Sequence, residues 1–245
     1  MVSDSMREFN ADLHIHTCLS PCAELEMSPR NIVREAKRKG LHVIGICDHN
    51  SAENVPAVEK TAAREGIKVI GGMEVTSREE VHILALFDVV EKLFSLQEIV
   101  HENLHGTNDE KLYGEQVIVN EEEEVIGFSK KLLIGSTDIT IDRLVDLIHE
   151  RDGLAIAAHV DREGFGIIGQ LGFIPEGLSL DALEIVEPSK RDTIPQKDVF
   201  PFITSSDAHT LENIGKRYTT FLMKDVTIEE LRKCLCGEDG RGVRI

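Results

Sequence analysis

The sequence has no run of about 18 apolar residues, so no segment of it reads as a membrane-spanning helix. Met1 to Asn10 is charged and lacks an apolar stretch, which argues against a secretory signal there. Cysteine is sparse. The five cysteines are irregularly spaced, which favours a reducing cytoplasm over a disulfide framework. Cys18 and Cys22 have C-x3-C spacing, but no second Cys/His pair completes a four-ligand structural zinc site. Basic residues are also short: 27 Lys and Arg face 44 Asp and Glu, for a net charge of −17. Such a chain lacks the cations that an extended nucleic-acid surface needs. A small phosphorylated substrate, or the end of an oligonucleotide, fits the charge if bound metal makes one pocket locally positive. No low-complexity tract and no internal repeat is present.

What is present is a strand-then-helix rhythm. Ala11 to Ile15 reads as a strand. Ser28-Pro29 forms an N-cap and first-turn pair for a helix through Lys39, with Gly40 as its stop. Val43 to Cys47 is a short buried strand. Val55 to Glu65 is helical in period and ends at Gly66. Ile67 to Ile70 and Val81 to Phe87 are further strands. Helix Ile141 to Arg151 leads to strand Leu154 to Ala158. Ala182 to Val186, Phe202 to Thr204 and Tyr218 to Met223 read as strands, and Thr227 with Glu230 starts a last helix as a capping box. About seven such units in 245 residues predict an α/β fold closed, or nearly closed, as a TIM-like barrel in one domain over 1–245. Residues 101–140 break the rhythm. They read as an inserted hairpin or lid with short strands at Gln116 to Val119 and Lys131 to Ile134, and Glu121 to Glu124 as a solvated face.

Chemistry-bearing residues gather at strand ends. His14 and His16 are two apart on the first strand, so their side chains share a face. Asp48 and His49 follow the second strand, Glu74 the third. His82 starts the fourth, His159 ends the Leu154 strand, and Asp207 and His209 follow Thr204. Strand ends of an α/β barrel converge on one rim. Burying so many ionisable groups together is costly unless metal neutralises them. Zn, Mn and Fe all suit such a mixed His/carboxylate set. Arg162, Lys190 and Arg191 each follow a strand end and are candidates for holding a substrate phosphate. Asp12 and Asp48 adjoin the ligand-type residues and could each accept a free ring N–H of a liganding His. His42, His101, His105 and His149 have no strand-end context and read as ordinary surface or core residues.

These segments resemble a known family. Asp12-Leu13-His14-Ile15-His16-Thr17, Cys47-Asp48-His49-Asn50, Gly72-Met73-Glu74, Val81-His82-Ile83-Leu84, Ala158-His159 and Ser206-Asp207-Ala208-His209 look like the motifs of the PHP (polymerase and histidinol phosphatase) superfamily, in order, over about residues 10–215. The resemblance implies a distorted (βα)7 barrel and a trinuclear centre of three divalent ions. It implies ligands at His14, His16, His49, Glu74, His82, His159, Asp207 and His209, and a metal-bridging hydroxide that cleaves a phosphomonoester or phosphodiester. One position departs from the pattern. The family places an Asp five residues after the second His, where this chain has Ser20-Pro21-Cys22. Counting back from Ser28-Pro29 makes Glu24 the replacement, with Glu26 as the other candidate. Two other classes stay open: an amidohydrolase-type barrel, which also begins with His-x-His, and a non-catalytic metal-binding regulatory domain.

Overall fold

The computed structural model describes residues 5–245, so the first four residues of the charged N-terminal segment lie outside the described residues. Strand β1 (Arg7–Ile15) leads through helix α1 (Pro29–Arg38) to β2 (Val43–Ile46), and helix α2 (Val55–Glu65) leads to β3 (Lys68–Thr76). These three strands are parallel neighbours. Helix α1 starts with Pro29 in its first turn and buries Pro29, Ile32, Val33 and Ala36 along one stripe. Helix α2 stops at Gly66, whose φ of 74° closes the last turn in the left-handed region.

The rhythm changes at β4 (His82–Phe87), which pairs antiparallel with β3. Only a short turn separates the two strands, and a parallel crossover needs a dozen or more residues. The reversal matters for function. The start of β4 lies beside the end of β3, so His82 reaches the rim that the other strands reach with their C-terminal ends. Helix α3 (Val90–Asn103), helix α4 (Glu110–Tyr113), the hairpin β5 (Val117–Val119) and β6 (Val125–Phe128), and helix α5 (Ile141–His149) follow. Strand β7 (Leu154–Ala157) then pairs antiparallel with β4. Helix α6 (Ile167–Leu171), β8 (Ala182–Glu184) and β9 (Phe202–Ile203) complete the parallel part. Strand β10 (Thr219–Met223) pairs antiparallel with β1, and helix α7 (Ile228–Cys236) leads to the edge strand β11 (Gly242–Arg244).

The nine-stranded sheet has the order β11-β10-β1-β2-β3-β4-β7-β8-β9. It curls until its far end meets β1 again. The His16 N–H donates to the Ala208 carbonyl at 3.0 Å, and Ile15 and Ala208 form a parallel bridge. The result is a nearly closed, distorted barrel. Two apolar layers hold it. Leu13, Val43, Ile70, Leu84, Leu86, Ile156 and Ile203 pack inside, against Ile228 and Leu231 of α7. Ile44, Ile46, Ile83, Phe87 and Ala157 face outward against α1, α2, α3 and α5. Strand β1 is irregular between Asp12 and Ile15. Leu13 therefore belongs to the inner layer and Ile15, two residues on, to the outer one. A bulge of this kind re-aims side chains at a barrel rim.

The inserted segment differs from its sequence reading in one strand. The partner of Val117–Val119 is Val125–Phe128, not Lys131 to Ile134. Residues of β6 are largely exposed, so no buried alternation marks it. Lys131 instead forms an isolated bridge with Thr107 and points its ammonium at the His101 carbonyl. The Glu121–Glu124 run pairs with cations of α1 and α2: Glu121 with Lys60 at 3.0 Å, and Glu122 with Arg64 at 3.1 Å and with Arg30. Each pair is exposed and contributes little alone. At the helix α7 start, the Thr227 side chain caps the Glu230 N–H as expected. The Glu230 carboxylate does not return the bond; it accepts from Lys224 N–H and from Arg241.

Candidate metal centre

One buried carboxylate organises the barrel mouth. Glu74, at 1% exposure, lies within ion-pair distance of five imidazoles. Its Oε1 is 2.7 Å from His82 Nδ1, 3.0 Å from His159 Nε2 and 3.4 Å from His14 Nε2. Its Oε2 is 3.0 Å from His49 Nδ1 and 3.4 Å from His16 Nε2. Asp207 Oδ1 approaches His14 Nε2 at 3.3 Å and His16 Nε2 at 3.2 Å. The His209 ring stacks on His16 with centroids 4.1 Å apart. The His14 and His16 Nε2 atoms face each other at 3.1 Å. Asp207 and His159 sit at positive φ, 53° and 33°. Such backbone is unfavourable for these residues and is tolerated where surrounding structure enforces it.

Three overlapping groups could each hold a cation: His14, His16, Glu74 and Asp207; His49, Glu74 and His82; and His16, His49 and His209. Glu74, His16 and His49 are each shared between groups, as expected of a multi-metal centre. Other observations fit the same conclusion. His159 Nδ1 is buried without a hydrogen-bond partner, and His49 Nδ1 and Asp207 Oδ1 make no well-aligned bond although Glu74 lies close to the first and His14 and His16 to the second. Buried polar atoms without a partner are rare, and a role in binding an ion is one recognised reason for them. Burial alone disfavours an imidazolium at His14, yet Glu184, Asp207 and Glu74 hold its pKa well above the ordinary range. His16 and His49 are likewise raised to about 9 against burial, with Glu74 acting on both and Asp207 on His16. Burial pushes His82 down to about 4 and His209 down to about 3. Burial also opposes the charge on Glu74 and Asp207, but neighbouring histidines hold both carboxyls well below their usual range. A site that holds protons on some rings through acidic neighbours suits divalent cations, which displace those protons on binding.

The supporting residues are partly those expected from sequence. Asp48 accepts from the Thr17 N–H, the Thr17 hydroxyl and the Ser20 hydroxyl, each at 2.7 Å. Ser20 Oγ in turn lies 2.9 Å from His16 Nδ1, so Asp48 reaches the ring through Ser20. Asp12 accepts from the Ser206 and Gly215 N–H groups, both at 2.9 Å, and touches no imidazole through a hydrogen bond. Burial raises its carboxyl to about 6, against those bonds. The carboxylate that does meet a ring is Glu184. Its Oε2 is 3.0 Å from His14 Nδ1 and accepts the His159 N–H at 3.1 Å. Sequence reasoning missed it, although a lone acid in the apolar run Ala182 to Val186 was a usable signal.

Glu24 is not brought to the cluster. It is exposed, as is Glu26. Its backbone is fixed by turns, with Glu24 N–H donating to the His209 carbonyl at 2.9 Å and Met27 N–H to the Glu24 carbonyl at 3.0 Å. The residue of that loop facing the mouth is Cys22, which lines the cavity with His49, His82, His159, Arg162, Phe165, Asp207 and His209. Arg162 pairs with Asp207 Oδ2 at 2.5 Å. Lys190 lies in a neighbouring cleft and pairs with Glu187 at 2.9 Å. Arg191 covers the Phe202 ring at 5.2 Å, away from the mouth. Of the three basic candidates, only Arg162 lines the cavity.

The PHP domain model matches residues 12–169, well over half of the chain. The chain belongs to the PHP-domain family. A second model, described as PHP-associated, matches residues 196–235 and so takes in Asp207 and His209. YqxK of Bacillus subtilis is 22% identical over 97% of this PHP chain and 64% of its own length. A 5'-3' exoribonuclease of Haemophilus influenzae is 32% identical over 31% of this chain and 27% of its own. The lesion-specific endonuclease PfuEndoQ of Pyrococcus furiosus shares the fold, with a TM-score of 0.73 and 24% identity over 97% of this chain and 58% of that one. The chain thus spans less than two thirds of the length of these relatives.

Proposed function

We propose that this chain is a phosphoesterase whose trinuclear metal centre is held by His14, His16, His49, Glu74, His82, His159, Asp207 and His209. The observation that carries the reading is Glu74, a buried carboxylate ringed by five imidazoles and flanked by Asp207. Divalent ions bound there would polarise phosphoryl oxygens and bring the pKa of a water close to neutrality.

The protein groups have their own tasks. Glu184 accepts from His14 Nδ1 and so keeps Nε2 directed at the centre. Asp48, through Ser20, does the same for His16. Arg162 stands at the mouth with a guanidinium whose fork matches two phosphate oxygens. The buried ring of His14, His16 and Glu74, at 0 to 1% exposure, keeps bulk water from the floor of the site. Among the described residues no lysine lines the cavity, which disfavours the amidohydrolase class with its carboxylated lysine.

The net charge of −17 disfavours capture of a long nucleic acid. The names of two relatives, an exoribonuclease and an endonuclease, favour nucleotide esters as substrates. A small phosphorylated molecule or the terminus of an oligonucleotide satisfies both. The test is metal analysis with a panel of phosphomonoesters, phosphodiesters and amides, on wild type and His14→Ala. Bound Zn, Mn or Fe with phosphoester turnover that His14→Ala abolishes supports the proposal. Amide turnover alone, or metal without any turnover, supports one of the other two classes and defeats it.

A further inference from the structure

An aromatic side chain stands at the mouth of the site without a task in hydrolysis. Phe165 lines the same cavity as Glu74, His82 and Arg162, and is 42% exposed. It belongs to none of the apolar clusters that build the fold. One face is occupied: its ring lies on His82, with centroids 4.5 Å apart and 17° between planes. Its backbone has a φ of 59°, an unfavourable value for a bulky residue. Its carbonyl accepts the His82 N–H at 2.9 Å, which ties this backbone to the rim. Strain of this sort, held in place by a specific bond, clusters at active sites and ligand clamps.

Two further features give the ring a context. Ile134 of the inserted segment also lines the cavity and is 39% exposed, so a second apolar side chain flanks the mouth. Arg162, three residues before Phe165 on the same loop, brings a cation to Asp207. One loop thus presents a phosphate-type contact and a flat aromatic surface side by side. The cavity holds about 240 Å³. That is below the roughly 300 Å³ at the small end of ligand pockets. It admits a phosphate and one ring system, and the remainder of a longer substrate must lie outside.

Resting on the phosphoesterase reading, we infer that the exposed part of the Phe165 ring is a stacking platform for the nucleobase next to the scissile phosphate, with Ile134 closing the other side. The substrate is then a nucleotide ester read one base at a time, without base-edge recognition. Stacking is sequence-tolerant because every base has a π-face. Offset stacking on a ring already backed by His82 needs no rearrangement of the loop.

The chain contains no tryptophan, which makes the test direct. In Phe165→Trp the new indole is the sole tryptophan. On rapid mixing of the metal-replete protein, adenosine 5'-monophosphate should quench its emission and ribose 5-phosphate should not. Equal quenching by both, or by neither, overturns the inference. In the wild type, KM for ribose 5-phosphate should exceed that for adenosine 5'-monophosphate by about 5- to 30-fold, the lower part of the range for one base stack. Phe165→Leu, which keeps apolar bulk without a π-face, should bring that ratio towards one. A ratio unchanged by Phe165→Leu also overturns it. If wild type hydrolyses neither these monoesters nor any phosphodiester of the panel, the phosphoesterase reading fails; base-selective quenching in Phe165→Trp would still establish the stacking site.

Discussion

Glu184→Gln separates a carboxylate that tunes the centre from one that merely fills space. Glu184 is 1% exposed and serves two groups at once. Its oxygens lie 3.0 and 3.3 Å from His14 Nδ1, and Oε2 accepts the His159 backbone N–H at 3.1 Å. The Gln side chain keeps the shape and one acceptor oxygen. It loses the charge that raises the basicity of His14. The carboxyl itself is held below its usual range, because His14 outweighs the cost of burial. Loss of an outer carboxylate partner of a liganding His lowers metal affinity by about 10- to 100-fold, or about 1.4 to 2.7 kcal/mol. Competition against a chelator of known affinity measures this directly, without a substrate. Thermal melting of the chelated protein controls for folding, and the melting temperature should drop only slightly. Glu184→Ala behaves differently: it strands the His159 N–H and leaves a cavity, so both metal affinity and stability fall. If Glu184→Gln binds metal as tightly as wild type, Glu184 does not act through His14 and the argument from its geometry fails.

Three further outcomes follow from particular contacts. Glu24→Ala should leave metal content unchanged, since that side chain is exposed and outside the ligand groups; a lost metal equivalent would show that the loop refolds around the ions. Gly45→Ala should destabilise the chain by about 1 to 3 kcal/mol or more in chemical denaturation, because an added Cβ would lie 2.3 Å from the Leu13 carbonyl oxygen, which cannot swing aside. Glu230→Gln should change stability in a pH-dependent way. Hydrogen bonds from Arg241 lower the Glu230 pKa to about 2 from 4.5, so its contribution is complete above pH 4.5 and is lost as pH falls towards 2. At neutral pH the variant should be less stable by about 1 to 2 kcal/mol after allowance for solvent screening. The difference from wild type should shrink below pH 4.5, and a constant difference across that range would refute the assignment.

The alternation of strands and helices was legible because its signals are local. Helix α2 has the bounds read from its period and its Gly66 stop. Strand β3 was read too short, since Gly71 and Gly72 look like punctuation. In the fold they permit close approach: a Cβ on Gly72 would meet Leu86 at 2.8 Å and Cys47 at 2.9 Å, and one on Gly71 would meet Val55 at 2.9 Å. That information lies in the packing of β2, β4 and α2 and not in the strand itself. Helix α3 offers no start signal, because Val89 precedes it without a side-chain cap. The second hairpin strand, β6, is exposed and paired through its backbone, so hydrophobic pattern could not locate it.

The same division explains the site. Strand ends announced the imidazoles, Glu74 and Asp207, because the barrel brings every such end to one rim. The groups that aim them were hidden, because aiming is a long-range matter. Asp12 neighbours His14 in sequence yet holds Ser206 and Gly215, so it fixes the loop that carries Asp207 and His209. Asp48 neighbours His49 yet acts on His16 through Ser20. Glu184 is 170 residues from the ring it holds. The pairing of β1 with β2 is irregular between Asp12 and Ile15, and Gly45 of β2 lets the Leu13 carbonyl approach closely there. The His-x-His motif therefore identifies two ligand-type side chains, while a glutamate on β8 holds one ring and a serine in the following loop holds the other.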